Sequence, residues 1–136
     1  MDKIIPERLK YGDEIRVIAP SRSMSILDES IINAAKMKLE NMGFKVTFGK
    51  NVLNSIGEEF KCASIKDRIE DLHEAFKDKN VKAILSVIGG YNVNQILDYI
   101  DYDLIRSNPK IICGFSDITA LTNAIYSKTG MITYSG

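Results

Sequence analysis

Histidine is almost absent from this chain, because His73 is the single histidine among 136 residues. A metal site built on several histidines is therefore excluded, and a catalytic histidine within the chain has one candidate. Only two cysteines occur, Cys62 and Cys113, so the sequence contains no disulfide framework. Cys113 lies in an apolar segment, where a small buried residue is a commoner role than a reactive thiol.

The chain also lacks an excess of either charge, since 18 basic residues balance 18 acidic ones. This balance predicts no attraction to nucleic acid or to an anionic membrane. No apolar run is long enough to span a membrane, and residues 1–6 lack the apolar core of a signal peptide. We therefore expect one cytoplasmic domain, residues 1–136, that needs neither a metal nor a cofactor.

Short β-type segments alternate with amphipathic helical ones along the sequence. Strand patterns occur at residues 14–20, 44–48, 83–88, 110–113 and 131–134. Such alternation is typical of a parallel sheet covered by helices. We expect an α/β fold of flavodoxin-like type, with a five-stranded parallel sheet and helices on both faces.

Helix boundaries are indicated by capping residues and by apolar stripes. The first helix follows Ser25 or Asp28 as N-cap and ends before Gly43, and its predicted apolar stripe is Ile31, Ala35, Leu39 and Met42. The second follows the N-cap Ser64, with His73 bordering its apolar face. A short helix is expected near 94–99, an irregular stretch at 101–108, and a last helix that ends at Gly130.

Ser116 lies at the predicted turn between the fourth strand and the last helix. Such a turn is where a nucleophile elbow places its serine, and Gly114 leaves room for a tight bend. The usual elbow is G-x-S-x-G, but Ile118 stands where the second glycine is expected. Serine is also a favoured helix N-cap. These residues alone leave both interpretations open, and the cap is the commoner one.

Two further turns are expected at the same edge of the sheet. Ser21-Arg22-Ser23 follows the first strand, and Gly89-Gly90-Tyr91-Asn92 follows the third. Ligands of parallel sheets bind outside the carboxyl ends of the strands. A diglycine there allows close approach to a ligand, although a plain tight turn uses it equally well.

The turns together resemble the amino-terminal domain of the LD-carboxypeptidase family of serine peptidases. The similar segments are 16–21, 88–92, 113–121 and 133–136, in order along the whole chain. Asn92 and Asn94-Gln95 resemble the microcin C immunity-type branch more than the murein-recycling branch. The first cleaves the amide that joins an aspartyl residue to a nucleotide-like group. The second releases D-alanine from a cytoplasmic murein tetrapeptide.

The resemblance implies a role for each residue of the turns. Ser116 would be the nucleophile, and the backbone amides of Gly90 and Asp117 would form the oxyanion hole. Beyond the resemblance, Tyr91, Asn92 and Arg22 could contact a small peptide or peptidyl-nucleotide substrate, although each is equally typical of a surface loop. The family takes its catalytic Glu and His from a carboxy-terminal domain absent from these residues, and His73 does not match that histidine.

This chain alone is therefore expected to have little or no activity. Because members of the family are commonly dimers, the resemblance also implies a homodimer. The rival hypothesis is a non-enzymatic flavodoxin-like module that binds a small ligand. A receiver domain is disfavoured because Ser21-Arg22-Ser23 replaces its acidic cluster, and no G-x-G-x-x-G motif or P-loop is present.

Overall fold

The computed structural model describes all 136 residues and contains one five-stranded sheet. Every neighbouring pair of strands is parallel, and their order is β2-β1-β3-β4-β5. The strands are β1 (Glu14–Ile18), β2 (Lys45–Phe48), β3 (Val81–Ser86), β4 (Ile111–Gly114) and β5 (Tyr134–Ser135). The predicted α/β fold with a five-stranded parallel sheet is confirmed.

Four α-helices and two short 3₁₀ segments connect the strands. The helices are α1 (Glu29–Asn41), α2 (Ile65–Lys77), α3 (Tyr102–Ser107) and α4 (Ile118–Thr129), and the 3₁₀ segments are Met24–Ile26 and Val93–Tyr99. None of the helices has the length and apolar character needed to cross a membrane.

Capping residues account for several helix boundaries. Asp28, rather than Ser25, occupies the N-cap of α1. The hydroxyl of Ser64 accepts a hydrogen bond from the amide of Asp67 and so caps α2, as predicted. Gly43 follows the last residues of α1 with a φ of +98°, which agrees with its predicted role as the residue that ends the helix.

Two predictions about local structure were wrong. Residues 101–108 were expected to be irregular but contain α3, whose first turn is capped by the Asp101 side chain. A helix of six residues is too short to show an apolar period. The fifth strand was expected at 131–134 but lies at Tyr134–Ser135, because Met131 instead forms a parallel bridge with Ile4.

The two faces of the sheet are covered unequally. On one face of the sheet, which we call the packed face, α3 contacts both α2 and α4. Ile18, Ile84 and Ile112 of the strands belong to a core of 15 buried residues on this face. The connection from β1 to β2 moves across the sheet in the direction opposite to the later connections. Because such connections are right-handed, α1 lies on the face opposite to α2, α3 and α4, which we call the open face. This open face presents Val17, Leu85 and Cys113, which are only partly buried, although Ile15 and Ala83 on the same face are buried.

Helix α1 packs on the open face through Ile32, which contacts a small core cluster of Ala19, Met24 and Val52. None of its residues is buried, and Ile31, which was predicted to lie in its apolar stripe, is 55% exposed. A gap of about 200 Å³ separates the helix from Val17 and Leu85. The sheet is therefore held mainly from its packed face.

Candidate active site

The turns that follow β1, β3 and β4 meet at the carboxyl edge of the sheet. The backbone amide and the Nε of Arg22 both donate to the carbonyl of Gly89, at 3.4 and 3.0 Å. The Ser21 hydroxyl donates to the Asp117 carboxylate at 2.6 Å. The strand order reverses between β1 and β3, which is where open parallel sheets bind their ligands.

Ser116 has an unusual backbone conformation at this edge. Its φ is +61°, and its side chain is exposed at the turn between β4 and α4. Positive φ is disfavoured for residues with a Cβ and is found where surrounding structure or function requires it. Helix α4 begins at Ile118 with Asp117 at the N-cap, so Ser116 does not hold the cap position.

The diglycine turn packs closely against Ser116 on one side and against Ser21 on the other. A Cβ at Gly89 would lie 3.2 Å from the Ser116 Cβ and 3.5 Å from the Asp117 amide nitrogen. A Cβ at Gly90 would lie only 2.6 Å from the Ser21 hydroxyl. Gly90 was predicted from the resemblance, but Gly89 is the glycine that lies against Ser116. The diglycine itself was the signal in the sequence that could have indicated it.

The amides assigned by the family resemblance are free to donate. The backbone N–H groups of Gly90 and Asp117 make no hydrogen bond within the chain. Asp117 also lies at the start of α4, where the partial positive charge of the helix favours an anion. An oxygen that gains negative charge near Ser116 could therefore be stabilised by donors that are already unpaired.

Tyr91 and Asn92, the predicted substrate contacts, differ in their surroundings. Tyr91 is 77% exposed, whereas Asn92 is only 7% exposed. The Asn92 amide donates to the thiol sulfur of Cys62 at 3.3 Å. Asn92 also borders a cleft of about 810 Å³ that Phe60 and Gln95 line as well. Tyr91 is free to reach a ligand, while Asn92 is already held by its neighbours.

His73 has a structural role within the packed face. Its Nε2 accepts a hydrogen bond from the backbone amide of Asp101 at 3.0 Å, where α3 is about to begin. Burial lowers the pKa of His73, although the Asp101 carboxylate opposes this shift. The side chain is thus engaged as a neutral acceptor between α2 and α3. No group of three or more His, Cys, Asp or Glu residues is arranged to hold a metal ion.

One protein family matches nearly the whole chain. The family model described as the LD-carboxypeptidase N-terminal domain matches residues 15–136. The chain belongs to the LD-carboxypeptidase family. The family assignment does not favour the rival hypothesis of a non-enzymatic flavodoxin-like module.

Several relatives of this LD-carboxypeptidase domain are similar over nearly its whole length. “Putative carboxypeptidase YocD” of Bacillus subtilis is 53% identical over 95% of this chain and 39% of its own length. The microcin C7 self-immunity protein MccF of Escherichia coli is 37% identical over 94% of this chain and 37% of its own length. The murein tetrapeptide carboxypeptidase of Pseudomonas aeruginosa is 28% identical over 82% and 35%.

Solved structures show the same domain. The crystal structure of an MccF-like protein from Bacillus anthracis superposes with a TM-score of 0.95 at 56% identity, covering 98% of this chain and 40% of that one. MccF in complex with aspartyl sulfamoyl adenosine gives a TM-score of 0.88 at 35% identity, covering 96% and 38%. The chain therefore spans about two fifths of the length of the relatives it matches.

Proposed function

We propose that this chain is the nucleophile-bearing domain of a serine carboxypeptidase-type amide hydrolase. The observation that carries the proposal is the conformation of Ser116, which is exposed at positive φ between β4 and α4. A nucleophile elbow holds its serine in this strained way so that the hydroxyl stands clear of the sheet. The unpaired amides of Gly90 and Asp117 supply the matching oxyanion hole.

The proposed chemistry is acyl transfer to Ser116. The hydroxyl attacks the amide carbonyl of the substrate and loses its proton to a general base. The carbonyl oxygen becomes an oxyanion that the two amides stabilise. Collapse of this intermediate expels the amine, which takes up the proton, and water then hydrolyses the acyl-serine ester.

The general base comes, in this proposal, from a carboxy-terminal domain that follows residue 136. The Nε2 of His73 is already occupied by the Asp101 amide, so this histidine is a poor candidate for the base. The chain spans about two fifths of its relatives, which leaves room for such a domain. A serine without its base is a weak nucleophile, so we expect the 136 residues alone to be inactive or nearly so.

The substrate we propose is an amide that joins an aspartyl residue to a nucleotide-like group. Support comes from the high similarity to an MccF-like protein and from the MccF complex with aspartyl sulfamoyl adenosine. The second candidate is release of the terminal D-alanine from a murein tetrapeptide. Its support is the similarity to the more distant murein tetrapeptide carboxypeptidase. Exposed Tyr91 is the side chain of the diglycine turn best placed to contact either substrate.

The test uses the protein translated from the continuous reading frame that contains this chain. It is incubated with an aspartyl-adenylate amide and with a murein tetrapeptide, and the products are followed by mass spectrometry. We expect cleavage of the first, and a serine-directed phosphonate should label Ser116. Replacement of Ser116 by alanine should abolish both. Undiminished cleavage by that variant would refute the proposal, and D-alanine release alone would select the murein substrate.

We also propose that the protein forms a homodimer and acts in the cytoplasm. The incompletely covered open face supports self-association, because Cys113 remains partly accessible there, next to the exposed Tyr134 of β5. Sedimentation at several concentrations tests it, since a dimer should dissociate on dilution. Tyr134→Lys should weaken the dimer if the open face is the contact. A monomer at every concentration would rule the dimer out.

A further inference from the structure

A buried arginine lies beneath the turns of the site. Arg68 of α2 is 3% exposed. Its Nη1 donates to the carbonyl oxygens of Pro20 and Asn92, at 3.3 and 3.0 Å, and its Nη2 donates to the Gln95 side chain at 2.7 Å. One guanidinium therefore joins the turn after β1 to the turn after β3, although these residues are far apart in sequence.

The Asp117 carboxylate joins the same two turns, but it accepts hydrogen bonds from them, whereas Arg68 donates hydrogen bonds to them. It does not cap its own helix. Instead, its Oδ2 accepts from the Ser21 hydroxyl at 2.6 Å and from the Val93 amide at 3.0 Å. Because the accepting group is ionised, these bonds are stronger than neutral ones.

The two side chains act on the same pair of dipeptides. In Pro20-Ser21 and in Asn92-Val93, the carbonyl of the first residue accepts a hydrogen bond from Arg68. The second residue donates a hydrogen bond to Asp117, from its hydroxyl in Ser21 and from its backbone amide in Val93. The positive and negative groups therefore complement each other across both turns. Burial lowers the pKa of Arg68, while the nearby Asp117 carboxylate opposes this shift.

This arrangement links the two residues whose amides are the proposed oxyanion donors. Gly90 lies two residues before Asn92 and contacts Ser21, whose hydroxyl is where a Gly90 Cβ would clash. Asp117 supplies the second donor from its own backbone. Movement of the turn after β3 therefore moves the Gly90 amide relative to the Asp117 amide, and the turn after β1 supports Gly90 through Ser21.

We propose that Arg68 and the Asp117 carboxylate are positioning residues that clamp the turns after β1 and β3 and so set the geometry of the oxyanion hole. The inference rests on the proposed function of Ser116, Gly90 and Asp117. Donors aimed at a developing oxyanion act on the transition state more than on bound substrate. Loosening the clamp should therefore lower kcat and leave KM nearly unchanged.

The kinetic test uses the protein translated from the continuous reading frame. Asp117→Asn keeps the size and the backbone amide but removes the charge, and we expect kcat to fall by about ten- to a hundredfold. Arg68→Gln should have a similar effect. Arg68→Lys keeps the positive charge but loses the several N–H donors of the guanidinium. Its kcat should therefore lie between that of Arg68→Gln and that of the parent protein. Asp103→Asn and Arg106→Gln remove the same charges from exposed positions of α3 and should change nothing.

A second readout does not depend on catalysis. In the 136-residue chain, Asp117→Asn should shift the amide resonances of Gly90 and Val93 and speed hydrogen exchange at Val93, whereas Asp103→Asn should not. A kcat within twofold of the parent together with unchanged Gly90 and Val93 signals would overturn the clamp, while inactivity of Ser116→Ala would leave the proposed function standing. If Ser116→Ala stays active instead, the proposed function fails and the amide signals still decide the clamp.

Discussion

The packed and open faces of the sheet have similar apolar residues but very different cover. On the packed face, α2, α3 and α4 enclose 15 buried residues, among them Ile84 and Ile112. On the open face, α1 contributes no buried residue, and Leu85 and Cys113 stay partly accessible. Neighbouring residues of one strand therefore contribute unequally to stability, because cover rather than hydrophobicity decides how much surface leaves water.

The difference also explains where the site is built. Ser116 and Asp117 lead into α4, and Arg68 projects from α2, so the proposed machinery is anchored to helices of the packed face. Precise placement of reacting groups requires rigid support. The open face, by contrast, offers accessible surface for a further domain or a second copy of the chain.

The largest expected effect comes from truncating adjacent residues of β3. Ile84→Ala should destabilise the chain by about 2–5 kcal/mol, because it empties a fully enclosed position. Leu85→Ala should cost clearly less, about 1 kcal/mol, since the Leu85 side chain already borders the gap beneath α1. Urea unfolding of both variants measures the contrast. Equal losses would show that the two faces contribute equally.

A smaller effect is expected where β4 touches α4. A Cβ on Gly114 would lie 2.2 Å from the Cγ2 of Ile118. Gly114→Ala should therefore overpack the packed face and cost about 1–3 kcal/mol. Combining it with Ile118→Ala should relieve part of that cost, whereas combining it with Ile125→Ala should be additive. Additivity in both double variants would exclude the contact as the cause.

The smallest effect concerns the pH dependence of stability at His73. Burial places the folded-state pKa of His73 below its ordinary value of 6.5. As the pH falls through 6.5, the unfolded chain takes up the proton first, so the contribution of His73 to stability is present above that pH and lost below it. His73→Gln should flatten this part of the curve of unfolding free energy against pH, and should leave phosphonate labelling of Ser116 unchanged. A loss of labelling would give His73 a catalytic role.

The strands and the meeting of three turns could be predicted because they depend on local patterns and on parallel topology. Apolar β-branched segments mark β1 to β4 to within about two residues, and successive parallel strands necessarily end at one edge. The α3 helix was missed because six residues carry no period. The unequal cover was missed because the stripe of α1, which includes Ile31, looks the same whether or not it reaches a core.

The contacts of the site were less predictable than its location. The turn at Ser116 could be seen in the sequence, but the positive φ that separates a nucleophile from a helix cap could not. Asp117 was chosen for its backbone amide, and nothing in the sequence indicated that its carboxylate holds Ser21 and Val93. Arg68 lies in an ordinary amphipathic helix, and its contacts depend on tertiary structure.

The backbone of Ser116 gives the domain a trade-off between stability and reactivity. A φ of +61° costs an ordinary residue roughly 1–2 kcal/mol, whereas glycine or asparagine accepts it more readily. A chain optimised for folding alone would therefore not place serine at this position. The native state accepts a small, permanent loss of stability here, and in the proposed function an exposed nucleophilic hydroxyl is what the domain gains in return.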